Sequence, residues 1–251
     1  MSRRITFGIQ SVRKALQHRR VLRLYMAHDL GPRRLGRFAD ELARAEAPVK
    51  RCSEDELRHL TGTDKHQGIA AEIEGQSSLG DREARELLER LENPLLLVLD
   101  GIQDPRNFGS LLRTADAAGV DLVVTARSRN VGVTPVVSKV ASGAAESQTL
   151  AEVANLARFL ADIADAGIRL VGTDERAPQT VFEADLTGPV AIVLGAEGEG
   201  MRRLTAERCD LMVRLPMQGV VESLNVSVAA GVCLFECVRQ RSRLAPAVGL
   251  G

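Results

Sequence analysis

Beyond residue 93 the chain carries four runs of nearly unbroken Leu, Val and Ile: PLLLVLD (94–100), DLVVTA (121–126), IRLVGTD (168–174) and PVAIVLG (189–195). A strand with one wet face alternates apolar and polar residues. A run without that alternation is buried on both faces, as strands of a parallel sheet are. A fifth segment, LMVRLPM (211–217), reads the same way. Between the runs, RNFGSLLRTADAAG (106–119) and VANLARFLADIADAG (153–167) have helical spacing. Strand and helix in alternation predict an α/β domain built on a parallel sheet.

The first 75 residues alternate on a smaller scale. SVRKALQH reads as a helix and VLRLYMA as a strand. RLGRFADELARAE is a helix with apolar positions at Leu35, Phe38, Leu42 and Ala45. SEDELRHL opens with Ser53 and has Glu56 three residues on, a capping box. QGIAAEIE closes the unit as a strand. GQSSLG then marks a linker, followed by the charged helix DREARELLERLEN. The pattern predicts a small α/β domain over 1–75, a linker over 76–92 and a larger α/β domain over 93–251, with the last residues, SRLAPAVGLG, as a frayed tail.

One stretch resists this scheme. VVESLNVSVAAGVCLFE (220–236) places Glu222, Ser223 and Asn225 around a single Leu, then turns into small and apolar residues. Ser223 is a good helix N-cap type, and one cap needs one polar side chain. Asn225 is left over, and the following helix lacks bulk.

Ligands of open α/β sheets bind beyond the carboxyl ends of the strands. Three of the predicted strands end in polar, Gly-containing segments: GIQDPRNFGSLLRTADAAG, AEGEGMRRLT and QGVVESLN. They offer Asn107, Arg113, Glu197, Ser223 and Asn225. Asn107 also fits a helix cap, Arg113 a surface cation and Glu197 a solvated loop acid. All four His lie in residues 1–75, so this set contains no Ser-His-Asp triad. Neither the dinucleotide glycine fingerprint nor the phosphate-binding loop is present, which weighs against a nucleotide-dependent oxidoreductase. The remaining groups suit the positioning of a polar ligand and the stabilisation of a charge.

Composition adds three constraints. The chain has one Tyr, six Phe and no Trp, so stacking on unpaired bases is not an evident binding mode. Net charge is zero, yet residues 1–37 hold ten Lys/Arg against one acid, which suggests a polyanionic partner. The four Cys form neither a disulfide framework nor a metal site with the His, and they read as free thiols. No apolar run has membrane-span length and no signal-peptide pattern opens the chain, so a cytoplasmic protein is expected.

LDGIQDPRNFGSLLRTADAAG, IVLGAEGEGMRRLT and LPMQGVVESLNVSVAAGVCLFE, in this order and these strand contexts, resemble the three motifs of the SpoU (TrmH) family. These are S-adenosyl-L-methionine-dependent RNA 2'-O-ribose methyltransferases. FGIQSVRKAL and KHQGIAAEI resemble the family's small RNA-binding domain, and VSKVASGAAES the segment between its first two motifs. The resemblance implies a trefoil-knotted fold of the SPOUT type, which connection rules alone would argue against. It implies S-adenosyl-L-methionine in the knot against Gly195, Leu215 and Leu224, with Thr173 as a further contact. It carries the catalytic set onto Arg113, Asn107, Glu197, Ser223 and Asn225, with Arg113 activating the ribose hydroxyl. It implies RNA contacts from Arg3, Arg4, Arg13, Lys14 and His66, a homodimer, no metal and no membrane. The implied substrate is a guanosine in the peptidyl-transferase P loop of 23S rRNA, free or in a pre-ribosomal large subunit. A tRNA 2'-O-methyltransferase and a non-catalytic RNA-binding protein on the same fold are the alternatives.

Overall fold

The computed structural model describes residues 3–17, 21–31, 35, 38–44, 47–74, 78–128 and 130–244. By internal contacts the chain forms two compact units, residues 1–77 with 132–147, and residues 78–131 with 148–251.

The first unit carries strands Arg3–Phe7 (β1), Val21–Ala27 (β2), Val49–Cys52 (β3) and Ile69–Glu74 (β4) in the order β1-β4-β2-β3. β1 and β2 run antiparallel to β4, and β3 runs parallel to β2. Helices Ile9–Gln17, Phe38–Ala43 and Glu54–Thr61 also belong to the unit, with Phe7, Val12, Leu24, Phe38, Leu57 and Ile69 in its core. The capping box forms: Glu56 N donates to Ser53 Oγ at 3.1 Å, and Ser53 N donates to Glu56 Oε2 at 2.8 Å. β1 and β3 add two strands to the sequence expectation. Val49, Lys50 and Arg51 of β3 are exposed, so no apolar run announced it.

Residues 132–147 also belong to this unit. Their helix Pro135–Ala141 is capped by Thr134, whose Oγ1 accepts from Val137 N at 3.3 Å. Lys139 lies 5.4 Å from the centroid of the Phe7 ring and donates to Lys65 O at 2.9 Å.

The second unit is a seven-stranded sheet in the order β7-β6-β5-β10-β8-β11-β9, and every neighbouring pair is parallel. The strands are Leu95–Asp100 (β5), Leu122–Ala126 (β6), Leu150–Val153 (β7), Arg169–Thr173 (β8), Gln179–Thr180 (β9), Val190–Gly195 (β10) and Leu211–Arg214 (β11). All five predicted runs are present. β7 and β9 are additions, too short to stand out in the sequence. Leu96, Val98, Leu122, Val124, Ala191 and Val193 pack with Phe159 and Leu160 of helix Leu156–Asp165 on one face. Helices Pro105–Ala118 and Val226–Leu244 pack on each other, and the latter lies along β10. Because the sheet is parallel, its strands all deliver their carboxyl ends to one edge.

The start of the expected linker (76–77) and the end of the expected tail (245–251) lie outside the described residues. Among those described, no helix is long and apolar enough to cross a membrane. All four Cys are free, as expected. Burial pushes the Cys209, Cys233 and Cys237 thiols up to about 12. At pH 8 that leaves about one thiolate in ten thousand. Iodoacetamide at that pH is therefore expected to spare all three in the folded protein and to label them after unfolding, as read by mass spectrometry.

Candidate active site

The first loop turns at Gly101, whose φ of 88° suits glycine. Asp104 then caps the helix: its Oδ1 accepts from Arg106 N at 2.6 Å and Asn107 N at 3.0 Å, with Pro105 in the first turn. The cap is thus Asp104 and not Asn107. Freed of that task, the Asn107 carboxamide reaches across the sheet edge. Its Nδ2 donates to Glu197 Oε2 at 3.1 Å, and its Oδ1 accepts from Asn225 Nδ2 at 3.0 Å.

Asn225 in turn opens the last helix. Its Oδ1 accepts from Ser227 N at 3.0 Å and Ser227 Oγ at 2.6 Å, and its carbonyl accepts from Val228 N and Ala229 N. The expectation of Ser223 at the cap is corrected here. The helix starts at Val226, so Asn225 is the residue before its first turn and Ser223 lies too far upstream to reach its N–H groups. The leftover asparagine is therefore both a cap and an arm of the site. A carboxylate only accepts, so Glu197 fixes the sense of the whole relay: Asn107 gives its amide hydrogens to Glu197 and its oxygen to Asn225.

The last helix approaches its neighbour at Gly231. A Cβ placed on Gly231 would meet Thr114 Cγ2 of the neighbouring helix at 3.6 Å, an ordinary contact. Those two helices run close along this stretch.

The second loop folds on itself. Ala196 N donates to Gly200 O at 3.1 Å, and Gly200 N donates to Ala196 O at 2.9 Å. A Cβ on Gly195 would lie 2.1 Å from the Gly200 carbonyl carbon. Gly198 and Gly200 have φ of 81° and 70°. These glycines are required by the loop's own shape.

Beside this loop lies a cleft of about 370 Å³, within the range of small-molecule sites. Thr173, Gly195, Leu215 and Leu224, the four expected cofactor contacts, all line it, as do Glu197 and Ser223. Asn107, Asn225 and Arg113 are not among its lining residues. Arg113 is exposed on the Pro105–Ala118 helix, with no hydrogen bond or ion pair among the described residues. Leu194, Met201 and Val226 give the cleft an apolar part; Glu175, Glu199 and Glu222 give it negative charge. Asp100 and Arg202, which join β5 to the exit of the second loop, were not expected. The available signal was an acid ending an otherwise apolar strand.

The five RNA-contact candidates lie in the first unit. Arg3 is exposed and donates to Glu72 at 3.2 Å. Arg4 belongs to β1, and its side chain lies outside the described residues. Arg13 donates from Nε to Glu41 Oε2 at 2.9 Å, which raises its already high pKa. The Lys14 stem fills the space that a Cβ on Gly143 would take. His66 is 1% exposed; its Nδ1 accepts from Gly68 N at 3.1 Å, and its Nε2 lies 3.4 Å from the Glu54 carboxylate. His66 is thus an interior residue of the unit.

Comparison with known proteins places this geometry. Residues 94–235 match the sequence model of the SpoU rRNA Methylase family, and residues 5–79 match that of the RNA 2'-O ribose methyltransferase substrate binding domain. A 23S rRNA (guanosine-2'-O-)-methyltransferase from Ralstonia nicotianae, RlmB, is 46% identical over 242 residues, 95% of this chain and 96% of its own. Among solved structures, an RNA 2'-O ribose methyltransferase is 32% identical with a TM-score of 0.78, covering 96% of this chain and 89% of its own. The SpoU methyltransferase AviRb from Streptomyces viridochromogenes, in complex with AdoMet, is 27% identical with a TM-score of 0.79, covering 96% of this chain and 91% of its own. The three loops that meet at one edge of the parallel sheet lie within the first of these matches, and the chain belongs to the SpoU rRNA methylase family.

Proposed function

We propose that this protein transfers a methyl group from S-adenosyl-L-methionine to the ribose 2'-hydroxyl of a guanosine in the peptidyl-transferase P loop of 23S rRNA. The observation that carries the reading is the Glu197–Asn107–Asn225 relay, which ties three separate loops together next to the cleft. The named activity of the Ralstonia relative and the 5–79 match support the substrate. The cleft fits the cofactor in kind: apolar side chains suit the adenosine, and carboxylates suit a cationic sulfur. Thr173, Gly195, Leu215 and Leu224 would hold it.

When bound, the cofactor supplies an electrophilic methyl group. Transfer of that methyl to the ribose oxygen would leave the sulfur neutral, and the hydroxyl proton would pass to water. A hydroxyl is a weak nucleophile, so negative charge on its oxygen must be stabilised as it attacks. A guanidinium offers donors and positive charge but no acceptor, so Arg113 serves to stabilise that charge rather than as a base. The relay and Ser223 orient the ribose side of the site, where positioning supplies much of the rate.

The reading divides the chain into an RNA-binding domain (1–75), a linker (76–92) and a catalytic domain (93–251) knotted around the cofactor. RNA contact is assigned to Arg3, Arg4, Arg13 and Lys14, with Arg3 the most exposed of those whose side chains are described; His66, being buried, is left out of that surface. The cytoplasm is the site of action. A homodimer is supported by the exposed Val228 and Phe235, seven residues apart on one face of the last helix.

The test is methylation of unmodified 23S rRNA, with tRNA in parallel, using radiolabelled S-adenosyl-L-methionine and mapping of the label. Label on a P-loop guanosine ribose is expected. Label on tRNA alone would keep the reaction and replace the substrate; label on neither would sink the reading. Asn107→Asp sets a second carboxylate against Glu197 and is expected to lower turnover about a hundredfold, with cofactor affinity by calorimetry changing far less.

A further inference from the structure

Asp100 ends a strand that is otherwise Leu and Val, and it is 1% exposed. A carboxylate withdrawn from water is destabilising unless donors meet it. Among the described residues its donors come from Arg202. Arg202 N donates to Oδ2 at 3.0 Å, Nε donates to Oδ1 at 2.6 Å, and Nη2 pairs with Oδ1 as well. Asp100 also stands opposite Gly195 in the β5–β10 register.

Gly195 and Arg202 are the two ends of the second loop, so one residue meets both: Asp100 pairs with Gly195 through the strand register and with Arg202 through its carboxylate. Among the described residues the loop's backbone bonds between them are the Ala196–Gly200 pair, which closes the loop on itself. Glu197, the acceptor of the relay, sits in this loop, and residues 195–201 form one wall of the cleft. An apolar contact could hold the loop down but would let it slide. A charged fork bonded at several atoms fixes direction as well as distance.

We infer that Asp100 and Arg202 are positioning residues: they form a clasp that sets where the 196–201 loop stands, and through Glu197 they orient Asn107. Neither is among the residues that line the cleft. The catalytic part of the inference rests on the methyltransferase reading; the loop-holding part rests on geometry alone.

Asp100 is buried, so the substitution is made at Arg202, whose side chain is 42% exposed. Arg202→Gln removes the charged fork, and Arg202→Lys keeps a charge without the fork. Both are made in the full chain, with Glu197 intact and as Glu197→Ala. In cofactor-free protein, Arg202→Gln is expected to speed amide exchange in 196–201 selectively over the β5 and β10 amides. It is expected to weaken calorimetric binding of S-adenosyl-L-methionine about threefold to tenfold and to lower kcat about tenfold without changing the KM for RNA. In the Glu197→Ala background the kcat loss is expected to shrink below about twofold, since residues acting in one chain are not additive. Arg202→Lys is expected to fall between. Equal fold losses in the two backgrounds, or unchanged exchange in 196–201, would overturn the inference. A wild-type chain that methylates no RNA would instead defeat the functional reading, and the exchange pattern would then still decide whether the clasp exists.

Discussion

Arg113→Ala is expected to lower methyl transfer about a hundredfold to a thousandfold, the usual loss when one positioned charge-stabilising group is removed. Cofactor affinity is expected to stay within about twofold, since Arg113 is not among the residues lining the cleft. The two expectations together separate a group that acts on the developing alkoxide from one that builds the cofactor site. Arg113→Lys keeps a positive charge but loses the planar fork, and is expected to recover only part of the rate. Single-turnover rates and calorimetry on the same preparations make the comparison. Undiminished transfer by Arg113→Ala would remove the guanidinium from the mechanism.

The second large effect is at Gly195. Its missing Cβ would sit 2.1 Å from backbone atoms of Gly200 and Met201, so no side chain can move aside to admit it. Gly195→Ala must displace the loop. Overpacking strain of about 3 kcal/mol, if relieved by moving the cleft wall, corresponds to about a hundredfold loss of cofactor affinity. Melting temperature and calorimetric Kd are the measurements; a fully folded Gly195→Ala protein with unchanged affinity would refute the steric argument.

Much of the second unit was legible because its strands are buried on both faces, and such strands write themselves as unbroken apolar runs. β3 gave no such signal: three of its four residues are exposed. Sequence position puts residues 132–147 in the larger domain, but their packing within the first unit depends on partners far away in sequence, Phe7 and Lys65 among them. The candidate site residues follow from loop position and from the family resemblance, but local chemistry misassigned one cap, Ser223, and left Asn107 open to the same reading. Asp104 and Asn107 are both cap types, as are Ser223 and Asn225. Only the backbone path decides which of each pair reaches the helix N–H groups. His66 marks another limit, since a polar residue in a basic domain reads as surface until its burial is seen.

The relay has a consequence for how the protein comes to be active. Its two bonds join residues 90 and 118 positions apart in sequence. Between them lie most of the strands of a sheet with no hairpins, each pairing of which must close a long stretch of chain before it is rewarded. The relay cannot form until β5, β10 and the last helix have all been laid down in register. Methyl transfer should therefore be the last property to return during refolding, after secondary structure. On a growing chain it must wait until Asn225 has been made, long after Asn107. An enzyme assembled this way has no active half-folded form.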